Sequence, residues 1–186
     1  GARCITWAGG VTGEHFAVQG NCLAGPAVVD AMTATFRGMR GTLADRLVAA
    51  LAAGQRKGGD KRGQQSAALV VVKPGGGYGG FNDRYVDLRV DDHATPIDEL
   101  ARLLELHKLY HFPAEPEDVF AIDDALGREI TGELVRTGVL PPGAGKFDDA
   151  AYEALVGFMH VENLENRVRA DRTIDRQTLN YLRSHP

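Results

Sequence analysis

The chain has 186 residues, of which 44% are hydrophobic and 25% are charged, and its formal net charge at pH 7 is -4. This composition is typical of a globular protein with one medium domain, or with a domain of about 110 residues and a small appendage. A surface that binds nucleic-acid phosphates needs concentrated positive charge. Because the net charge here is negative, we expect no nucleic-acid partner. No apolar run approaches the length of a membrane span, so we expect no membrane partner and a cytoplasmic location.

Strand pairs alternate with helix pairs along the first part of the chain. Aromatic and β-branched runs flank the glycines at 9–13 and indicate an antiparallel strand pair. Thr42 has the side chain of an N-cap, and Pro96 suits the first position of a helix. The predicted elements are strands at 4–8 and 15–22, helices at 26–39 and 43–54, strands at 67–72 and 85–92, and a helix at 96–109. This order favours a layered antiparallel α/β arrangement over a parallel nucleotide-binding sheet.

The last two of these strands form a predicted hairpin with a glycine-rich loop. Residues 67–72 are an unbroken apolar run, which predicts a strand buried on both faces, whereas the alternation at 85–92 predicts one solvent-facing side. Five of the six residues at 75–80 are glycine. A phosphate cradle requires a helix after such a loop, and here a strand follows, so the loop is either a lip over a cleft or a turn. The side chains of this segment with enough reach to contact a ligand are Tyr78, Phe81, Asn82, Asp83 and Arg84.

The second part of the chain has a different pattern. Two prolines at 113–116 break the preceding helix pattern and indicate a domain boundary. Beyond them we see no strand pattern, and helices are predicted at 118–135, 147–159 and 175–183. We therefore divide the chain into an α/β domain at 1–112 and a small all-α domain at 113–186.

Four polar residues stand where a glycine-rich loop enters the apolar strand: Asp60, Arg62, Gln65 and Ser66. From this position their side chains can point into a cleft and support a substrate by hydrogen bonding. Equally, a pair between Asp60 and Arg62 can pin the loop, and both interpretations stay open. Ser66 as a nucleophile would need a base, and no histidine is near it in sequence. Hydrogen-bonding support is therefore favoured over covalent chemistry.

Three further groups of residues carry side chains found in oxyanion holes, metal sites or thiol pairs, but their positions in the sequence give these roles only weak support. Asn21, at the end of the second predicted strand, offers an amide for an oxyanion, but on spacing alone it closes a turn. The Asp-Asp-His run at 91–93 lacks a partner set elsewhere that would complete a metal site, so the wet face of a strand is favoured. Cys4 and Cys22 lack zinc spacing; the predicted hairpin can bring them near one another, and buried free thiols are favoured. We expect neither a metal nor a cofactor.

Five runs together resemble an uncharacterised bacterial family that is classed with the N-terminal nucleophile (Ntn) hydrolases. They occur in order at 4–9, 19–26, 58–68, 74–84 and 86–93, and the resemblance covers the chain from Gly1 to about Phe112. Residues 162–167, 174–175 and 182–183 resemble a peptidoglycan-binding domain that is often appended to that family.

The resemblance implies a four-layer αββα sandwich, in which the amine of an N-terminal Thr, Ser or Cys acts as the base for its own side chain, usually in amide hydrolysis. The family's first strand and its candidate nucleophile precede Gly1, which has no nucleophilic side chain. The chain is therefore expected to be a C-terminal fragment or subunit, with Gly1 as a cut end. Its expected partners are the missing N-terminal portion or subunit, a second copy in a homodimer, and a peptidoglycan fragment.

Two functions follow from the resemblance. The first is an Ntn-hydrolase-like enzyme that acts on an amide or related bond once the missing portion supplies the nucleophile. The cleft residues expected from this chain are Asn21, Asp60, Arg62, Gln65, Ser66, Tyr78, Asn82 and Asp83. The alternative is a non-catalytic binding module, or pseudo-enzyme, whose helical domain contacts peptidoglycan or a protein.

Overall fold

The computed structural model describes residues 7–186, which form two compact units, one ending at Glu105 and the other comprising Leu106–Pro186. The elements of the first unit are β1 (Trp7–Gly13), β2 (Phe16–Leu23), α1 (Pro26–Gly38), α2 (Leu43–Arg56), β3 (Ala67–Val72), β4 (Arg84–Val90) and the beginning of α3 (Pro96–His111). The second unit contains the end of α3, β5 (Val119–Ala121), α4 (Asp124–Arg136), α5 (Asp149–Val161), β6 (Thr173–Asp175) and α6 (Arg176–Ser184). The predicted β-β-α-α-β-β-α order is confirmed, but the turn predicted at the glycines of 9–13 is wrong, because these residues belong to β1 and pair with β2. The expected proximity of Cys4 and Cys22 lies outside the described residues, because Cys4 is not among them.

Local sequence explains where the first two helices begin. Pro26 is the first residue of α1, a position where a backbone N–H would have no acceptor within the helix, so the absence of that N–H in proline costs no hydrogen bond. Helix α2 begins with a capping box: the Asp45 N–H donates to Thr42 Oγ1 at 3.2 Å, and the Thr42 N–H donates to Asp45 Oδ2 at 3.2 Å. The prediction of Thr42 as the N-cap is confirmed.

The strands of the first unit form two small antiparallel sheets. Val11 of β1 lies opposite Val18 of β2, and Val71 of β3 lies opposite Val86 of β4. The two sheets share no ladder over the described residues, although an isolated bridge joins Leu23, at the end of β2, to Asp60. The described residues therefore show a mixed α/β fold with small sheets, and an αββα sandwich would need further strands.

The prediction that strand 67–72 is buried on both faces is wrong for the described chain. Leu69 and Val71 are buried, together with Val86 on β4, but Val70 is 57% exposed and Val72 is 71% exposed. The exposed face lies beside charged residues of β4, since Val70 pairs with Asp87. An unbroken apolar run indicates that a strand can be covered on both faces, but it does not determine whether the covering layer is present.

The second unit is built around a core of aliphatic and aromatic residues from α3 to α6, and its three predicted helices are confirmed. The expectation of an all-α unit is wrong, because Val119–Ala121 pairs antiparallel with Thr173–Asp175. Strands of three residues are too short for their periodicity to be read from sequence. Arg167, in the loop before β6, donates to Asp175 Oδ1 at 2.7 Å, and both side chains are 1% exposed.

Across residues 7–186, no helix combines the length and the apolar character that crossing a membrane would require.

Candidate functional site

A polar pocket of about 580 Å³ opens in the first unit, where β3 begins and β4 ends. The last turn of α2, the loop before β3, the residues after β4 and the start of α3 all contribute to its walls. The lining residues are Gln55, Asp60, Arg62, Gly63, Gln64, Gln65, Ser66, Asp92, Pro96 and Ile97. The structure thus brings together four residues that the sequence singled out: Asp60, Arg62, Gln65 and Ser66.

The loop that leads into the pocket is fixed by backbone and side-chain hydrogen bonds of its own. The Lys61 N–H donates to the Cys22 carbonyl at 2.9 Å, which ties the loop to the end of β2. Asp60 Oδ1 accepts from the Arg62 N–H at 2.8 Å and from Arg62 Nε at 3.0 Å, and Asp60 Oδ2 accepts from the Arg62 guanidinium at 2.7 Å. Gly63 adopts a φ of 110°, in the region that favours glycine, where the chain turns towards β3.

These contacts determine the chemistry of Asp60. The hydrogen bond from the Arg62 side chain, together with that from its backbone, lowers the pKa of Asp60 to about 2. At neutral pH Asp60 is therefore an ionised carboxylate whose charge is balanced by Arg62. A group with so low a pKa is poorly suited to transfer protons near pH 7, so its role is to hold the loop and to orient Arg62.

Gln65 and Ser66 supply hydrogen-bonding groups at the entrance of β3. The Gln65 carbonyl accepts from the His93 N–H at 2.9 Å, which extends the β3–β4 pairing to the edge of the pocket. Both side chains are exposed. Ser66 makes no hydrogen bond to a histidine among the described residues, and His93 Nδ1 accepts instead from the Thr95 N–H at 3.1 Å. The pocket therefore has the groups to bind a polar ligand, but no activated nucleophile of its own.

The other predicted site residues lie elsewhere in the unit. Asn21 lines a separate depression of about 610 Å³ along β1 and β2. Asn82 and Asp83 stabilise the glycine-rich loop, because Asn82 Oδ1 accepts from the Arg84 N–H at 2.8 Å and Asp83 Oδ1 accepts from the Gly75 N–H at 2.9 Å. This loop, with the exposed Tyr78, is at the opposite end of the hairpin from the polar pocket. The length of β3 separates the two by roughly 17 Å. The structure does not bring Tyr78, Asn82 or Asp83 to the pocket.

Three polar pocket residues, Gln55, Gln64 and Asp92, were missed from the sequence as site candidates. Asp92 was assigned to the wet face of a strand, whereas it follows β4 and faces the pocket beside Gln65 and Ser66. The signal that could have identified it is the pairing register, because residues that end β4 lie opposite those that begin β3. Gln55 comes from α2, and nothing in the sequence pattern connects the end of that helix to this loop.

No group of three or more His, Cys, Asp or Glu side chains among residues 7–186 is arranged to hold a metal ion.

Comparisons with known proteins identify two regions of this chain. Residues 1–100 match the family model described as "Family of unknown function (DUF1028)", and residues 111–182 match one described as "Putative peptidoglycan binding domain". The chain is similar to the crystal structure of protein SPO2555 from Silicibacter pomeroyi, which carries the same DUF1028 description. The two are 31% identical, with a TM-score of 0.47, over 56% of this chain and 43% of that one, so this chain spans less than half the length of that relative. No curated protein matches.

Proposed function

The chain belongs to the family of unknown function DUF1028, and we propose that it forms the substrate-binding wall of an Ntn-hydrolase-like enzyme that acts on amide bonds. The observation that carries the proposal is the polar pocket at the start of β3, where Asp60, Arg62, Gln65 and Ser66 meet. An amide presents one donor and one acceptor, and the side-chain amide of Gln65 and the hydroxyl of Ser66 can satisfy both.

The nucleophile in this proposal comes from outside the described chain. The pocket holds no serine with a base and no cysteine, so covalent catalysis needs a group brought to it. In the proposed enzyme, the amino-terminal portion of the family supplies a Thr, Ser or Cys whose free amine removes the proton from its own side chain. The residues of this chain bind the substrate and hold it against that group.

A gap between the two sheets of the first unit is a suitable docking site for the amino-terminal portion. An apolar cavity of about 340 Å³ separates the edge of β2, at Phe16–Gln19, from the edge of β3, at Ala68–Val70. Its floor consists of Met32 and Phe36 from α1 and of Leu47, Ala50 and Leu51 from α2. Two-stranded sheets are marginally stable alone, and a strand added in this gap would hydrogen-bond to both edges. A further layer over Val70 and Val72 would complete the sandwich that the resemblance implies.

The test uses the protein expressed from its complete gene, assayed against peptide and amino-acid amides. We expect hydrolysis by the wild type and a loss of at least about tenfold in kcat/KM for Gln65→Ala, since a binding hydrogen bond is removed from the transition state. Asn21→Ala is the matched control, because Asn21 also carries an exposed side-chain amide but lines the separate depression. An unchanged kcat/KM for Gln65→Ala, with folding intact, would remove the pocket from the active site.

The second candidate function is a binding module without catalysis. The match of residues 111–182 to a peptidoglycan-binding description is the observation that favours it. In this case the complete protein would sediment with insoluble peptidoglycan and be released by soluble fragments, yet hydrolyse no amide. Amide hydrolysis that is lost in Gln65→Ala would favour the enzyme over the binding module.

A further inference from the structure

We infer that the polar pocket accepts a ligand with a protonated amine next to an amide bond, as in the amino-terminal residue of a peptide, and that Asp92 binds the amine. The inference rests on the pocket named in the proposed function and deepens it by giving the class of substrate.

The charges that line the pocket favour a cation. Asp60 and Arg62 neutralise one another through three hydrogen bonds. The Asp92 carboxylate has no hydrogen bond or ion pair with any residue that the structure describes, whereas the neighbouring Asp91 pairs with Arg89 at 2.7 Å. Asp92 therefore gives the lining a net charge of one negative unit, and its oxygens are available to a ligand.

The helix termini at the pocket agree with this sign. Gln55 lies in the last turn of α2, and the C-terminal end of a helix carries partial negative charge. The N-terminus of α3 would favour an anion, but Pro96 has no N–H to offer, and Asp98 and Glu99 place negative charge in the first turn. The anion interpretation is therefore weaker than the cation interpretation.

The neutral groups of the pocket suit the amide that follows the amine. Gln55, Gln64, Gln65 and Ser66 provide side-chain donors and acceptors within one cavity of about 580 Å³. A ligand with only an amine would leave these groups in contact with water, and a ligand with only an amide would leave Asp92 unused. An aminoacyl amide uses both.

Three small probes that differ in charge separate the alternatives. Glycinamide has the amine and the amide, N-acetylglycinamide is neutral, and N-acetylglycine is an anion. We would titrate each into the isotopically labelled full chain at pH 6.5, where an α-amine is protonated, and follow the backbone amide resonances. We expect glycinamide to shift the resonances of Gln65, Ser66 and Asp92 and to bind up to about fivefold more tightly than N-acetylglycinamide, as one exposed ion pair allows.

Two isosteric variants make the test specific. Asp92→Asn should abolish the preference for glycinamide over N-acetylglycinamide, and the control Asp91→Asn should retain it, because Asp91 is paired with Arg89 outside the pocket. Tighter binding of N-acetylglycine, an unchanged preference in Asp92→Asn, or the absence of shifts at the pocket would each overturn the inference. If glycinamide binds as expected but the complete protein hydrolyses no amide, the inference stands and the proposed hydrolase activity fails.

Discussion

Asp60 illustrates how much of a site can be predicted from single residues. Its position before an apolar strand, two residues from Arg62, predicted either a cleft residue or a loop pin, and the structure shows that it lines the pocket while it pins the loop. Asp92 could not be assigned in the same way, because its role depends on the strand pairing that brings residues 65–66 and 92–93 together. Side-chain chemistry is readable from sequence, whereas the convergence of distant residues is a property of the fold.

The low pKa of Asp60 predicts a specific pH dependence. Its folded pKa of about 2 lies below the unfolded value of about 3.9, so the Asp60–Arg62 contact stabilises the loop fully above about pH 5 and loses this effect as the pH falls towards 2. We expect the side-chain carboxyl ¹³C resonance of Asp60 to titrate with a midpoint near 2, and Arg62→Ala to raise that midpoint. Arg89→Ala, which removes a different exposed arginine, should leave it unchanged. A wild-type midpoint near 4 would show that the contact does not persist in solution.

At the scale of elements, strong local signals were predictive and short or context-dependent ones were not. The capping box of α2 and the proline that opens α1 are encoded within a few residues, and both helices begin where the sequence indicated. The strand at 67–72 was predicted correctly, but the cover of its outer face was not, because burial depends on layers contributed by other segments. β5 and β6 were missed because three residues carry no periodicity.

The second unit contains a buried ion pair between Arg167 and Asp175 whose hydrogen bonds reach several of its elements. Arg167 Nε donates to the Leu109 carbonyl at 2.6 Å, and Arg167 Nη2 donates to the Lys108 carbonyl at 2.8 Å and to the Phe112 carbonyl at 3.0 Å. Burial lowers the pKa of Arg167, and the adjacent Asp175 opposes that effect. Asp175 in turn caps α6 by accepting from the Thr178 N–H at 3.1 Å. The contact therefore joins the end of α3 to the start of α6.

We expect Arg167→Met to reduce the free energy of unfolding of this unit by about 3–5 kcal/mol, since it leaves the Asp175 carboxylate buried without its partner. A loss of that size is a large part of the total stability of a small domain. Arg183→Ala is the matched control: Arg183 pairs with Glu129 at the surface, and its removal should change stability by less than about 1 kcal/mol. Urea unfolding of the full chain, monitored by hydrogen exchange of the amides in Leu106–Pro186, measures the change in stability for both variants. Equal losses in the two variants would contradict the role assigned to the buried pair.

At the scale of the whole molecule, the chain combines a DUF1028 region with a second compact unit that matches a peptidoglycan-binding description. The element order predicted an α/β fold, and the described residues confirm a mixed α/β fold with small sheets. The αββα sandwich stays a proposal that the open gap between β2 and β3 and the exposed side of β3 support. Sequence alone could not define the pocket, because its walls come from four segments whose proximity is created by the packing of α2, the strands and α3.

In the proposed enzyme, the polar pocket at the start of β3 binds the substrate. A crystallographic soak of the protein with a set of amide-containing fragments tests this assignment most directly, because the position of each fragment is observed. We predict that fragments occupy the pocket and contact Gln65, Ser66 and Asp92. Fragments that instead bind along β1 and β2 near Asn21, and leave this pocket empty, would contradict this assignment of the substrate site.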